Sequence, residues 1–402
     1  MIKNYIFGIY RREMKPLRFI LVLVLTGIAG GLYKGVQDNY LVEILRITPF
    51  ERGVTEFFRE LPGFLNVFIL ALMYKLSETR IFKIATAITL AGVIGLLLCE
   101  SEKIIVVVFI VIWSLGEHLV MPLKSSISLE LAKGEKSGAS LGLTSTIGNL
   151  GNIAGFLAVT VLFFVCSRLG FMRSDTLPFR IVFAAAAALM LAALLIALAI
   201  SETGTHIKRR RFYFAKKYNK FYILETLYGA RKQVFFTFGP LVLIKVYGAN
   251  TSIISMLLAI SAAFGMIFSP LIGKLIDKLG YKTIMVADTL ILIVVCFFYG
   301  YSQHLFSAHI AFIVVCINYT ADAILSLCSM ASSVYAKSLS NTQEELTSTL
   351  STGISVNHFV SIFIALAGGY IWNITGIEVL FTISAALGLI NSLFAATIKV
   401  KQ

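Results

Sequence analysis

The sequence has little charge and lacks the motifs that mark most enzymes. Only 14% of its 402 residues are charged, against about 25% in a soluble domain. Its five cysteines form no Cys-x-x-Cys pair, which argues against a disulfide framework or a thiolate metal site. Neither a Gly-x-x-x-x-Gly-Lys-Ser/Thr loop nor a His-Glu-x-x-His motif occurs. We therefore expect no enzyme activity, no metal and no cofactor.

What the chain has instead is apolar sequence, with 58% hydrophobic residues and a mean hydropathy of +0.86. The apolar residues recur in runs of about 20, enough for a helix to cross a ~30 Å hydrocarbon layer. Transmembrane β-barrels show shorter, alternating segments, so the pattern predicts an all-α membrane protein. Twelve transmembrane helices are predicted, at residues 17–43, 52–75, 80–99, 104–132, 138–166, 179–200, 218–247, 250–275, 282–301, 306–335, 343–372 and 376–398.

Positive charge is concentrated in the loops on one side of these predicted crossings. The net charge is +14, and the positive-inside rule then places both termini in the cytoplasm and the chain in a cell (inner or plasma) membrane. The densest basic run, 208–211, is interpreted as a linker that touches anionic lipid headgroups and not as a nucleic-acid site. We expect a monomer in the lipid bilayer.

The two halves of the chain resemble each other. Segments 75–83 and 274–282 share a lysine, a leucine, an acid, an aromatic residue and a second lysine in register, and shorter echoes follow in both halves. Parallel repeats of six helices are one way in which membrane proteins build a central site. The predicted organisation is an interfacial segment at 1–16, a six-helix bundle at 17–200, a cytoplasmic linker at 201–217 and a second six-helix bundle at 218–402.

The loop between predicted helices 8 and 9 carries a recognisable pattern, Gly273-x-Leu275-x-Asp277-Lys278-x-Gly280-x-Lys282. Together with the helix count, the repeat and the glycine-rich join at 368–376, it resembles the major facilitator superfamily. The resemblance implies two pseudo-symmetric six-helix bundles around a central cavity lined by helices 1, 4, 7 and 10. It also implies that the bundles rock to move a small solute by alternating access.

The resemblance further implies a gating role for the signature loops, whose charges latch the cytoplasmic helix ends together. We carry this role to Asp277 and Lys278, with Gly273 and Gly280, and to Glu78 in the weaker first copy. An acid beside a helix end can bind its dipole or a cation, and the contact must break when the bundle tilts. The alternative is that these are ordinary loop charges that fix topology.

Predicted helix 5 departs from one branch of the family. Drug–proton antiporters carry a motif rich in glycine and proline there, but Gly148, Gly151 and Gly155 occur here without a proline. These glycines are predicted to let helices pack closely. The departure weakens a drug-antiporter assignment.

Charged and polar side chains fall near the middle of several predicted helices. A charge at the bilayer centre costs on the order of 2.5–3.5 kcal/mol, so such residues face a cavity or pair with one another. The functional interpretation is that cations and amides bind an anionic substrate group while acids carry protons. The alternative is internal salt bridges, such as Glu117 with Lys124 or Glu225 with Lys232. The substrate-binding candidates are Arg231, Lys232, Tyr228, Lys34, Lys124, Asn149, Asn152, Asn318 and Asn357; the proton-coupling candidates are Glu117, Asp322, His358, Asp38 and Glu225.

Predicted helix 2 opens with a ladder of acids and arginines that includes Glu56 and Arg59. Pairing along the ladder reduces the cost of burying the charges. We interpret it as an external gate, and a purely structural ion-pair network is equally compatible with the pattern.

Three functions remain open from the sequence. The first is a secondary transporter of a small anionic or zwitterionic metabolite, coupled to H+. The second is a proton-driven exporter of cationic or amphipathic compounds that uses Asp38, Glu117 or Asp322 as its cation site. The third is a sensor or assembly protein that keeps the fold and transports nothing.

Overall fold

In the computed structural model, which describes residues 6, 8–10, 13–99, 102–133, 136–202 and 214–399, the apolar runs form twelve long helices. The last turn of α1 is π-helical, and α10 contains a 3-10 turn at Ser326–Ser329. Such irregular turns often lie at functional sites. The helices are α1 Met14–Ile44, α2 Pro49–Leu72, α3 Glu78–Leu98, α4 Lys103–Leu131, α5 Ser137–Arg168, α6 Thr176–Leu198, α7 Asn219–Lys245, α8 Thr251–Leu279, α9 Tyr281–Leu305, α10 Ala308–Leu339, α11 Gln343–Thr375 and α12 Ile377–Ala396.

The helix ends lie within a few residues of those predicted, because hydropathy marks where a chain enters and leaves the apolar layer. Among the described residues, ten of the twelve helices are long and apolar enough to cross a membrane. The other two are α2 and α7, the helices with the densest charge in their sequences. The structure is therefore that of a multi-pass membrane protein.

The chain divides into two compact units, each with contributions from three segments. The first unit holds Met1–Leu45, Leu65–Arg209 and Thr251–Ala259; the second holds Arg46–Phe64, Arg210–Asn250 and Ile260–Gln402. Within the first unit α1 packs on α5 and α6, and α3 packs on α4 and α6. Within the second unit the pairs are α7 with α11 and α12, and α9 with α10 and α12. The same pairs thus recur six helices later.

Small residues bring α1 and α5 together in the first unit. A Cβ atom added at Gly151 would lie 2.9 Å from the Cα of Gly27, and one at Gly155 would lie 2.4 Å from the Ile28 carbonyl oxygen. Both distances are shorter than real Cβ contacts, so only glycine lets the backbones approach this closely. Gly151 and Gly155 fit the packing role expected from the sequence; Gly148 differs, as described below.

Part of the N-terminal segment enters the first unit instead of lying on its surface. Ile6 and Ile9 are buried in its apolar core, and the Tyr10 side chain has no exposed area. The Tyr10 hydroxyl lies 2.8 Å from Ser128 Oγ and 3.2 Å from Thr144 Oγ1, and it donates to the Ser140 carbonyl oxygen. Burial of the apolar side chains and satisfaction of this hydroxyl hold the described residues 6 and 8–10 in the first unit, and the interfacial placement of the whole segment 1–16 stays a prediction.

We expect the Tyr10→Phe variant to unfold at a lower temperature than the wild-type protein. It loses the hydroxyl but keeps the ring, so the expected cost is about 1–2 kcal/mol. The Tyr10→Ala variant also loses the packing of a buried ring, for an expected cost of about 3–5 kcal/mol. Thermal unfolding in detergent measures both. Equal unfolding temperatures for the wild type and Tyr10→Ala would show that the segment is not held as described.

The start of α7 is anchored to the second unit by polar contacts. Lys217 forms an ion pair with Glu345 at 2.6 Å, and this hydrogen bond raises the pKa of the Lys217 amine. Tyr218 Oη lies 2.8 Å from Ser340 Oγ. Most of the predicted linker at 201–217, including its basic run, lies outside the described residues.

Candidate functional site

A cavity of about 120 Å³ lies inside the first unit, among α1, α3, α4, α5 and α6. Its walls combine apolar side chains, among them Trp113, with polar ones. Ligand sites are typically apolar hollows with a few placed polar groups. The polar side chains that line it are Thr26, Thr86, Thr89, Glu117, Lys124, Thr144 and Asn152.

The charged side chains in the wall of this cavity are one acid, Glu117, and one lysine, Lys124. Lys34 on α1 forms an ion pair with Glu117 on α4. Lys124 lies two turns after Glu117, half-buried, with Glu117 and Lys34 as the charged groups nearest to it. No hydrogen bond of the Lys124 amine occurs within the described part of the chain. Glu117 therefore pairs with a lysine other than the one considered from the sequence, and Lys124 keeps its donors available.

The four asparagines predicted to bind substrate have different surroundings. Asn152 lines the cavity, whereas Asn149 is exposed outside it. In the second unit, the Asn318 amide donates to the Val314 carbonyl oxygen of its own helix at 2.8 Å, and the Asn357 amide donates to the Glu225 carbonyl oxygen at 3.5 Å. The structure thus brings Asn152 alone of the four into the cavity of the first unit.

Arg231 is buried in the second unit and pairs with Asp288, an acid that is not among the predicted site residues. Its Nη2 donates to Asp288 Oδ2 at 2.6 Å, and both side chains are about 95% buried. Its guanidinium also lies over the Tyr228 ring, 5.0 Å from the centroid. The signal that would have found Asp288 is an acid within an apolar run, since such a residue needs a partner.

Asp322 lies half-buried on α10. The charged side chain that interacts with it electrostatically is Arg231. Among the described residues its carboxylate makes no hydrogen bond. One turn later the 3-10 break begins, and the Tyr228 hydroxyl donates to the Ser326 carbonyl oxygen there at 3.1 Å. Asp322 and Asp288 thus share one arginine, and only Asp288 is bonded to it.

Glu225 and Lys232 occupy the same face of α7, as predicted from their spacing. Glu225 accepts a hydrogen bond from Ser332 Oγ at 2.6 Å. Lys232 is half-buried with Glu225 and Glu60 near its amine, and it makes no hydrogen bond to a described residue. Lys232 is therefore a second cation with donors available.

The ladder at the start of α2 is a buried network within the second unit. Glu56 accepts from Arg52 at 2.8 Å and from Arg59 Nε at 2.8 Å, and its side chain has no exposed area. Glu60 binds Arg59 and lies 2.7 Å from His358 Nδ1 on α11. Gln233 on α7 also donates to Glu56, at 3.3 Å. His358, predicted as a proton carrier, is thus a partner of this network, which joins α2 to α7 and α11.

The two signature loops differ in the state of their acids. Glu78, in the weaker copy, is 6% exposed and accepts a hydrogen bond from Ser126 on α4. Asp277 and Lys278, in the stronger copy, are exposed and have no bonded partner within the described segments. Gly280 has a φ of +82°, which favours glycine at the turn between α8 and α9. A Cβ at Gly273 would meet nothing within 4 Å.

Two further positions, Asp38 and Ser140, do not contribute to the candidate site. Asp38 is half-buried on α1 and is not part of the cavity wall.

Ser140 stands in a Gly-x-Ser-x-Gly sequence at 138–142, a pattern typical of hydrolases when it follows a strand. Here it lies in the first turn of α5, and its hydroxyl donates to the Ser137 carbonyl oxygen at 2.8 Å. The pattern therefore has no nucleophile-elbow geometry.

Comparison with known proteins agrees with this architecture. No curated protein matches the sequence significantly. A variant of the nucleoside transporter NupG is 17% identical with a TM-score of 0.75, over 96% of this chain and 100% of that one. A peptide transporter POT solved with sulfate is 14% identical with a TM-score of 0.75, over 98% and 97% of the two chains. A D-xylose-proton symporter is 16% identical with a TM-score of 0.70, over 95% and 96%. At these identities the likeness shows the fold alone.

A family model settles the relationship at the level of the family. The model described as Major Facilitator Superfamily matches residues 19–342. This agrees with the signature loop at 273–282 and with the transporter fold of the similar structures. The chain belongs to the major facilitator superfamily and is a transporter rather than an enzyme.

Proposed function

We propose that the chain is a secondary transporter that moves a small anionic or zwitterionic solute by alternating access, coupled to protons. It does so as a monomer with twelve spans in two six-helix bundles, in a cell inner or plasma membrane, with both termini in the cytoplasm. The observation that carries the proposal is Lys124 in the wall of the cavity of the first unit, next to a Glu117 that is already paired with Lys34. The recurrence of the same helix pairs in both units supports the two-bundle organisation.

The charge of the cavity favours a solute with a negative group. The acid in its wall, Glu117, is ion-paired with Lys34, which leaves the positive charge of Lys124 without a bonded acid. Burying such a charge is costly in a membrane protein unless a partner arrives. A carboxylate or phosphate bound by Lys124 supplies that partner.

Asp322 is the group that we assign to proton coupling. Its carboxylate is half-buried and unbonded, while the nearest cation, Arg231, is bound to Asp288. An acid in this position can take up and release a proton without breaking an existing ion pair. One of the similar structures is that of a D-xylose-proton symporter, a protein of this fold that couples transport to protons.

The competing functions make different demands on the same residues. An exporter of cations needs acids that are available to a cation, but Glu117 is already bound to Lys34. Export through Asp322 is compatible with this requirement, because its carboxylate makes no hydrogen bond among the described residues. A sensor or assembly protein would keep the cavity without needing its charges to bind a solute.

The test is a current measurement on proteoliposomes. Pools of anionic, zwitterionic and cationic metabolites are applied with and without a pH step. We expect a current from an anionic or zwitterionic pool, reduced about 10- to 100-fold in apparent affinity by Lys124→Gln, since a charge-assisted hydrogen bond contributes about 1.5–3 kcal/mol. Lys232→Gln is measured alongside, because it removes the half-buried lysine of the second unit that also has donors available.

The matched control is Lys136→Gln, which removes an exposed lysine just before α5, outside the cavity wall. A Lys124→Gln variant that behaves like this control contradicts the binding role of Lys124. A current from cationic pools alone moves the assignment to export through the acids. Silence with every pool favours the sensor or assembly function.

A further inference from the structure

Three glycines line the cavity of the first unit, and only one of them has unused space where a side chain would stand. A Cβ at Gly27 would lie 3.1 Å from the Gly148 carbonyl oxygen, and one at Gly30 would lie 3.2 Å from Asn152 Oδ1. A Cβ at Gly148 would meet nothing within 4 Å. The missing side chain of Gly148 therefore adds to the volume of the cavity, whereas the other two glycines make room for neighbouring atoms.

The register of α5 explains how one helix serves both purposes. Thr144, Gly148 and Asn152 are spaced by four residues, so they share a face, and all three line the cavity. Gly151 and Gly155 form the neighbouring stripe, which packs against α1. The close packing of α5 against α1 therefore requires glycine at positions 151 and 155. It does not require glycine at position 148, where a side chain would meet no neighbouring atom.

Glycine inside a helix costs about 1 kcal/mol relative to alanine. At Gly148 this cost brings no closer helix contact through the Cβ position, so its consequence is open volume opposite the α4 wall that carries Glu117 and Lys124. The cavity measures about 120 Å³. A cavity of about 150 Å³ in another protein holds one benzene molecule.

Resting on the proposed function, we infer that Gly148 sets the size limit of the solute. The space in this cavity accommodates about six non-hydrogen atoms next to the charged end, by the comparison with benzene, and a side chain at position 148 takes up part of it. Solutes with a short chain beyond their carboxylate fit; solutes with a longer or branched chain at that end do not. Enlarging residue 148 lowers the limit without changing Lys124, which binds the charge.

The first test needs no knowledge of the solute. The Gly148→Cys variant of the full chain is treated in membranes with a small water-soluble methanethiosulfonate, and the label is located by mass spectrometry. We expect labelling at position 148 beyond the background of the five native cysteines, because the position faces open space. A position that stays unlabelled overturns the inference.

The second test measures the limit itself. Straight-chain carboxylates from acetate to octanoate and the matching 2-amino acids are the probes, applied to proteoliposomes as above. We expect Gly148→Leu to shorten the longest accepted chain by at least two carbons, with the shortest accepted probe retained within about threefold. Gly148→Ala should give a smaller shift in the same direction.

The matched control is Gly142, on the same helix, exposed, also with nothing within 4 Å of its Cβ position, and outside the cavity wall. Gly142→Ala and Gly142→Leu make the same changes in helix propensity and should leave the chain-length limit unmoved. A Gly148→Leu variant that carries every probe like the wild type overturns the size limit alone. A wild-type chain that carries none of the probes contradicts the proposed function as well.

Discussion

Replacing Arg231 with methionine should destabilise the second unit by about 3–5 kcal/mol, because it leaves the buried Asp288 charge without its partner. At about 2–4 °C per kcal/mol, the unfolding temperature in detergent falls by roughly 6–20 °C. The double variant Arg231→Met with Asp288→Leu should recover most of this loss, since an apolar pair of similar volume replaces a buried ion pair at little cost. Thermal unfolding of the two single variants and the double variant measures this recovery directly.

The neighbouring Lys232→Met variant is the control for this prediction. Lys232 is half-buried and unbonded within the described residues, so its loss should change the unfolding temperature by only a few degrees. If Arg231 binds solute instead of holding Asp288, the outcome is reversed. Arg231→Met would then keep its unfolding temperature and lose transport, and the double variant would recover nothing.

The Asp322→Asn variant should lose uphill transport while it still exchanges solute across the membrane. A pH gradient of one unit supplies 1.36 kcal/mol per proton, which drives accumulation of up to about tenfold for each proton carried. Without a carboxylate at position 322 no proton travels with the solute, so accumulation falls to about onefold. Accumulation and equilibrium exchange in proteoliposomes under an imposed pH gradient separate the two properties.

Two further variants make this result specific to the carboxylate of α10. Asp322→Glu keeps a carboxyl group and should retain a pH-driven response. Glu102→Gln neutralises an exposed acid at the start of α4 and should accumulate solute like the wild type. Undiminished accumulation by Asp322→Asn would place the proton on another acid, with Glu225 the next candidate in the second unit.

Among the predicted site residues, the sequence identified the charged positions better than their partners. Glu117 was considered with Lys124 because both lie on one face of one helix, yet its ion pair is with Lys34, 83 positions away on α1. Asp288 drew no attention in an otherwise apolar run, although it binds Arg231. His358 is a proton-coupling candidate on α11, and its contact with Glu60 of the α2 ladder, 298 positions away, is not indicated by the pattern of either helix.

The sequence by itself determined the helices, their ends and the residues that must not face lipid. This follows because the bilayer leaves the backbone no partner except itself, so each apolar run must become a helix and each buried charge must find a cavity or a partner. Periodicity describes each helix separately and carries no information about its rotation and depth against another. Only the packing of α1 against α5 decided that Gly151 meets a neighbouring helix while Gly148, three residues earlier, faces open space.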